Sequence, residues 1–181
     1  MKVALDWIGV PGGTCLFGDG RRRVSVPDLE WTQTLVTGRH VEDQDDDLPL
    51  VCVTFAEASE VARDLGGRLP SSIEWEWMAS GNARDFPWGN APWDATRANL
   101  LPANVGVRTV VGRYADGATP DGLLDVAGNV WEWTSTPVFA GGRVIRGGSY
   151  ASQPLYARCT FLNAAPEELR SRGIGLRVVR E

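Results

Sequence analysis

Four carboxylates lie among aromatic residues in this chain: Glu74, Glu76, Asp125 and Glu132. They are the first candidates for acid–base work, because two carboxyl groups in unlike surroundings can divide into a proton donor and a proton acceptor. Each also has a structural role open to it. Glu74 stands three residues after Ser71, where it can cap a helix, and Glu76 is expected to pair with an arginine. The three cysteines, Cys15, Cys52 and Cys159, are odd in number and far apart, without Cys-x-x-Cys spacing. That spacing argues against zinc and against a disulfide lattice, and fits a reducing compartment. His40 is the single histidine, so it builds no three-histidine metal site, and a Ser149–His40 couple lacks a third group to orient it.

The elements that must position these groups are short. Val3–Ile8, Thr14–Phe17 and Val24–Val26 read as strands separated by Pro11-Gly12-Gly13 and Gly18-Asp19-Gly20, and residues 38–49 read as an exposed acidic loop. Thr54 with Glu57, and Ser71 with Glu74, are two capping boxes that predict helices ending at Gly66-Gly67 and at Gly81. In the second helix Ile73, Trp77 and Met78 form the expected apolar stripe. Residues 82–122 are rich in turns and need a core of their own, for which Phe86, Trp88, Trp93 and Tyr114 are available. Strands return at 129–134, 143–146 and 176–180. A composition of 43% hydrophobic and 23% charged residues suits one folded domain over 1–181, loop-rich and anchored by its 8 tryptophans.

Several partners are excluded by charge and length. A net charge of -5 offers no cationic face to a phosphate backbone, so nucleic acid is not an expected partner. No stretch reaches the roughly 20 apolar residues of a membrane span, and the opening Met1–Asp6 turns polar too early for a secretory signal. The expected location is cytoplasmic as synthesised, or phage-associated.

Six motifs in order then point to a family. Val10-Pro11-Gly12-Gly13, Gly67-Arg68-Leu69-Pro70-Ser71 through Glu76, Phe86-Pro87-Trp88-Gly89, Gly128-Asn129-Val130-Trp131-Glu132-Trp133, Arg146-Gly147-Gly148-Ser149-Tyr150 and Gly175-Leu176-Arg177-Val178 resemble the formylglycine-generating enzyme family across nearly the whole chain. The resemblance implies an α+β, C-type-lectin-like fold with short antiparallel strands and two main helices. Residues 20–50 are shorter than the family's usual segment, which implies a reduced early helix. It also implies calcium, with Asp125, the Gly128 and Val130 carbonyls and Glu132 as ligands, and a weaker second set at Asn99 and Leu100, all hard oxygen donors.

The family's oxidases resemble copper(I) enzymes with a cysteine pair after the Gly-Gly-Ser-Tyr signature, and here those positions are Ser152 and Ala157. Sulfoxide synthases of the same resemblance use iron held by histidines from an added helical domain. Neither copper nor iron is therefore expected, and the chain is read as binding rather than catalysing. Its ending is similar to the variable proteins of diversity-generating retroelements, with 143–181 as the variable region. That resemblance implies a protein or cell-surface ligand, bound by Ala151, Ser152, Leu155, Tyr156, Cys159, Phe161, Leu162, Asn163, Ser171, Arg172 and Gly173 between Tyr150 and Ile174. Apolar Leu155, Tyr156, Phe161 and Leu162 would give such a surface area at low entropy cost, or fill core instead. The alternative is a family-type oxidase with a non-standard active site.

Overall fold

Short strands broken by glycine and proline open the chain: β1 (Trp7–Val10), β2 (Gly13–Phe17), β3 (Arg22–Val26) and β4 (Leu29–Thr32). In the computed structural model, which describes residues 3–18, 20–41 and 46–181, β2 and β3 form an antiparallel hairpin while β1 pairs with β4. The expected early helix is a single turn, α1 (Gly38–Val41), so the acidic loop begins later than its composition suggests. Glu42, Asp43 and Asp45 of that loop lie outside the described residues.

Both capping boxes form. Thr54 Oγ1 accepts from the Glu57 amide at 3.2 Å and the Glu57 carboxylate accepts from the Thr54 amide at 2.9 Å, opening α2 (Phe55–Asp64). Ser71 and Glu74 repeat the exchange at 3.3 and 2.7 Å to open α3 (Ser72–Ser80), which Gly81 ends in the left-handed conformation. The predicted apolar stripe of α3 is only part of what the helix buries. Trp75, Glu76, Met78 and Ala79 are all buried, because β2 and β3 cover one side of this helix and later strands the other. A helix enclosed on two sides cannot keep a simple amphipathic pattern.

The later strands are β5 (Trp131–Val138), β6 (Gly142–Arg146), β7 (Asn163–Pro166), β8 (Ile174–Gly175) and β9 (Val179–Arg180). The order β7-β6-β5-β8 makes one sheet, with β8 parallel to β5, and β1-β4-β9 makes another. Of the final strand expected at 176–180 only Val179–Arg180 forms, and the preceding Ile174–Gly175 pairs in the other sheet, so that Arg177 stands between the two. Phe86 stacks on Trp88 at 4.8 Å, and with Trp93 these rings pack on Ala98, Leu100, Ala127 and Ala157, which pins the turn-rich segment as expected. Tyr114 is buried outside that cluster. Among the described residues no helix is long and apolar enough to cross a membrane.

Two arginines are withdrawn from water altogether. Arg177 binds Glu132 at 3.1 Å and donates to the carbonyls of Thr32, Gln33 and Leu124 at 2.9, 2.8 and 2.7 Å. Trp75 Nε1 donates to the same Glu132 carboxylate at 2.8 Å. Burial raises the Glu132 pKa, and the Arg177 and Trp75 contacts act against that shift by favouring the carboxylate. Replacing Arg177 with methionine strands that buried charge and is expected to cost about 3–5 kcal/mol in urea unfolding. The double change Glu132→Gln with Arg177→Met should recover part of the loss, and equal losses in the single and double variants would contradict this account.

Candidate functional site

The turn after β6 admits only glycine at its first position. Gly147 and Gly148 have φ of 94° and 77°, and a Cβ on Gly147 would stand 2.7 Å from the Val126 carbonyl oxygen. Arg146, just before the turn, is buried and donates to Glu76 at 2.8 Å, to Ser72 Oγ and O at 2.8 and 3.2 Å, and to the Cys159 and Phe161 carbonyls at 3.0 Å. After the turn, the Ser149 amide donates to Ser152 Oγ at 2.9 Å and the Tyr150 amide to the Asn129 carbonyl at 2.9 Å. The backbone around Tyr150 is thus fixed from both sides.

A cleft of about 320 Å³ opens between this turn, β5, β7 and the segment leading into β8. Trp131, Tyr150, Ala164, Leu169, Ser171 and Arg172 are among its lining residues. Trp131 reaches it because its amide donates to the Gly173 carbonyl at 2.8 Å, which ties β5 to the loop carrying Ser171 and Arg172. The volume is at the small end of ligand sites, and the lining is mostly apolar with a few polar groups.

The residues expected to form one binding surface divide between two hollows. Ala151, Ser171, Arg172 and Gly173 line this cleft, whereas Leu155, Phe161 and Leu162 line a separate hollow of about 500 Å³ with Gly18, Arg158 and Thr160. Tyr156 meets Phe161 edge-on at 4.9 Å, and Asn163 begins β7 with its side chain exposed. Leu155 at 59% exposure and Leu162 at 44% are surface groups and not core. Ser152 and Cys159 depart from the expectation: Ser152 is buried as an acceptor within the turn, and Cys159 is buried under α3. Trp131, Ser149, Tyr150 and Leu169 were not among the expected binding residues. The strand alternation of Trp131 with Trp133 was the available signal for the first, while Leu169 joins the cleft only through tertiary folding.

The donor sets for metals differ in quality. Copper(I) does not fit, since Ser152 and Ala157 stand where two sulfurs are required, and burial pushes the Cys159 thiol up to about 12. Iron does not fit either: His40 Nδ1 accepts from the Thr37 amide at 3.0 Å, and burial lowers the pKa of the ring. Among the described residues no three His, Cys, Asp or Glu side chains converge on a point. At the expected calcium loop, Glu132 departs from its assigned role by giving both oxygens to Arg177 and Trp75, and Asp125 Oδ2 accepts from the Gly112 amide at 2.6 Å. Asn99 is different. Its Oδ1 is buried without a hydrogen-bond partner, as is Thr109 Oγ1, and an unsatisfied buried oxygen is the kind of donor a hard cation takes, although the Leu100 carbonyl already accepts from the Ala103 amide at 2.9 Å.

Residues 7–181 match the sequence pattern described as the sulfatase-modifying factor enzyme 1-like domain. A hercynine oxygenase of Mycobacterium tuberculosis is 38% identical over 152 residues, covering 68% of this chain and 35% of that protein. The formylglycine-generating enzyme of the same organism is 35% identical over 123 residues, covering 59% of this chain and 41% of that protein. The chain thus spans well under half the length of these curated relatives. Among solved structures, Treponema denticola variable protein 1 superposes with a TM-score of 0.79 at 17% identity, covering 96% of this chain and 94% of that one. PvdO from Pseudomonas aeruginosa gives 0.79 at 22% identity, covering 97% and 94%. These likenesses establish the fold, C-type-lectin-like as expected. The expectation that the chain is not an enzyme is corrected by the hercynine oxygenases, which are far closer in sequence than any variable protein here. A missing cysteine pair removes copper chemistry, not every catalysis the scaffold hosts.

The wall of the cleft is held by a surface ion pair. Arg170, adjacent to Ser171, donates to both Glu57 carboxylate oxygens and, at 3.0 Å, to the Cys52 carbonyl. Those hydrogen bonds, with that of the Thr54 amide, hold the Glu57 carboxyl down to about 2 from 4.5. A depressed folded value means the stabilisation is present above pH 4.5 and is lost as pH falls toward 2. A carboxyl-carbon NMR titration should show Glu57 titrating near 2 in the native protein and clearly higher in Arg170→Gln, though still below its ordinary value because the Thr54 amide continues to donate to it.

Proposed function

Because the chain belongs to the sulfatase-modifying factor enzyme 1-like family, we propose that it is the substrate-binding portion of an oxidative enzyme of the hercynine-oxygenase kind. The observation that carries the reading is concavity at the fixed turn. A flat recognition face would spread its exposed side chains around Tyr150, whereas Tyr150, Trp131 and Arg172 instead surround a cleft sized for a small molecule. The 38% identity to hercynine oxygenases supports a substrate of that chemistry. Aromatic faces at Trp131 and Tyr150 suit the quaternary ammonium of hercynine.

Neither His40 nor the cysteines offer a donor set for an oxygen-activating centre. The chain's own residues bind and orient. Trp131 and Tyr150 flank the substrate, and the Ser149–Ser152 hydroxyl pair keeps the floor rigid. The same reading assigns calcium to Asn99 and the Leu100 carbonyl as a structural ion that stabilises the loop under the turn, where the Asn129 amide binds the Asn99 carbonyl at 2.8 Å.

Two measurements test these statements. Hercynine should bind with a Kd of about 0.1–1 mM, in the range of ordinary Michaelis constants, and Ala151→Trp, which fills the cleft, should abolish binding. Protein purified from its native cells should consume oxygen in a hercynine-dependent manner. No binding, or binding indifferent to Ala151→Trp, would overturn the reading. For calcium, a ligand at a hundredfold excess over its Kd adds about 2.7 kcal/mol, so calcium should raise the melting temperature by several degrees over chelator. Asn99→Ala should erase that difference; an unchanged melting temperature in wild type would mean a buried water fills the place.

A further inference from the structure

We infer that Arg172 is the specificity-determining residue of the cleft, selecting small ligands that carry a carboxylate. The inference rests on the reading of this cleft as the substrate site. Arg172 is the one charged side chain among the residues that line it; the others are aromatic, aliphatic, glycine or serine. No carboxylate answers it. Among the described residues Arg172 makes neither an ion pair nor a side-chain hydrogen bond, although the protein carries a net charge of -5 and acidic groups are plentiful.

The acids best placed to neutralise it are already committed. Glu57 is held by Arg170, and Glu167 by Arg143 at 2.9 Å. Two neighbouring arginines therefore have partners, and the third, exposed at the surface, lines the small cleft. The loop that carries it is well fixed: the Gly173 carbonyl accepts from the Trp131 amide, the Gly173 amide donates to Ser171 Oγ at 3.1 Å, and the Ser171 carbonyl accepts from the Cys52 amide at 2.9 Å. A guanidinium on a rigid loop presents a planar fork of donors that matches a carboxylate bidentately and loses little freedom on binding.

The complementary ligand follows from what stands across from that fork. Trp131, Tyr150 and Leu169 line the same cleft, so the ligand places a carboxylate at Arg172 and an aromatic or cationic body against these side chains. A volume of about 320 Å³ limits it to amino-acid size.

Three probes separate the parts of this inference. Hercynine, 3-phenylpropionate and 3-phenylpropionamide would each be titrated into the intact protein by ligand-observed NMR, with wild type, Arg172→Gln and Arg172→Lys. The carboxylate is expected to bind about tenfold more tightly than its amide, a difference of about 1.4 kcal/mol. Arg172→Gln should abolish the preference, and Arg172→Lys should keep part of it, because an ammonium retains the charge without the fork. Equal affinity for acid and amide, a preference that survives in Arg172→Gln, or binding of neither would overturn the assignment. Should phenylpropionate show the arginine-dependent preference while hercynine fails to bind, the carboxylate selectivity stands and the hercynine-type reading falls.

Discussion

A guanidinium withdrawn from water must find an acceptor for each of its N–H groups, and Arg146 finds them on two stretches of chain other than its own. Glu76 and Ser72 belong to α3, the residue itself to β6, and the Cys159 and Phe161 carbonyls to the excursion that follows the glycine turn. The rings of Trp75 and Phe17 lie 5.6 and 5.7 Å from its charge, completing a shell without solvent. Such an interaction yields little net stability, because desolvation offsets most of the attraction. Its value is geometric. Only one arrangement of helix, strand and loop satisfies every donor, and that arrangement leaves Tyr150 at the mouth of the cleft.

Arg177 does the same through Glu132, which pairs with Arg146 across the β5–β6 ladder, joining β5, the end of β4 and the loop at Leu124. Between them the two cations determine where β5 and β6 stand, and β5 carries Trp131. The shell is therefore separable from the chemistry performed on it. Within the turn Ser152 is an internal hydrogen-bond acceptor and Ala157 a small packing group.

Much of this was legible beforehand, and for identifiable reasons. Both capping boxes announced their helices because the cap is a local device, needing only a hydroxyl and a carboxylate three residues apart. The pairing of Glu76 with some arginine was foreseeable from burial alone, but not that it would be Arg146, 70 residues away. Strand β7 was invisible, as Asn163-Ala164-Ala165-Pro166 has little intrinsic preference for extended structure and owes its conformation to β6. The site suffered most. A segment between two motifs looked like one recognition surface, yet the chain passes over Arg146 midway, sending Leu155 and Leu162 to one hollow and Ser171 and Arg172 to another. Side chains from β5 and from Leu169, which complete the second hollow, carry no local sign of that duty.

The glycine turn has a consequence for how this protein can change over generations. Any side chain at Gly147 would collide with the Val126 carbonyl, a backbone atom with nowhere to go, so heritable variation there is lethal to the fold. At Leu155 or Leu162, on the exposed rim of the other hollow, a new side chain has room toward solvent. One short stretch thus holds a position where substitution breaks the frame and positions where it would only reshape the surface carried on it.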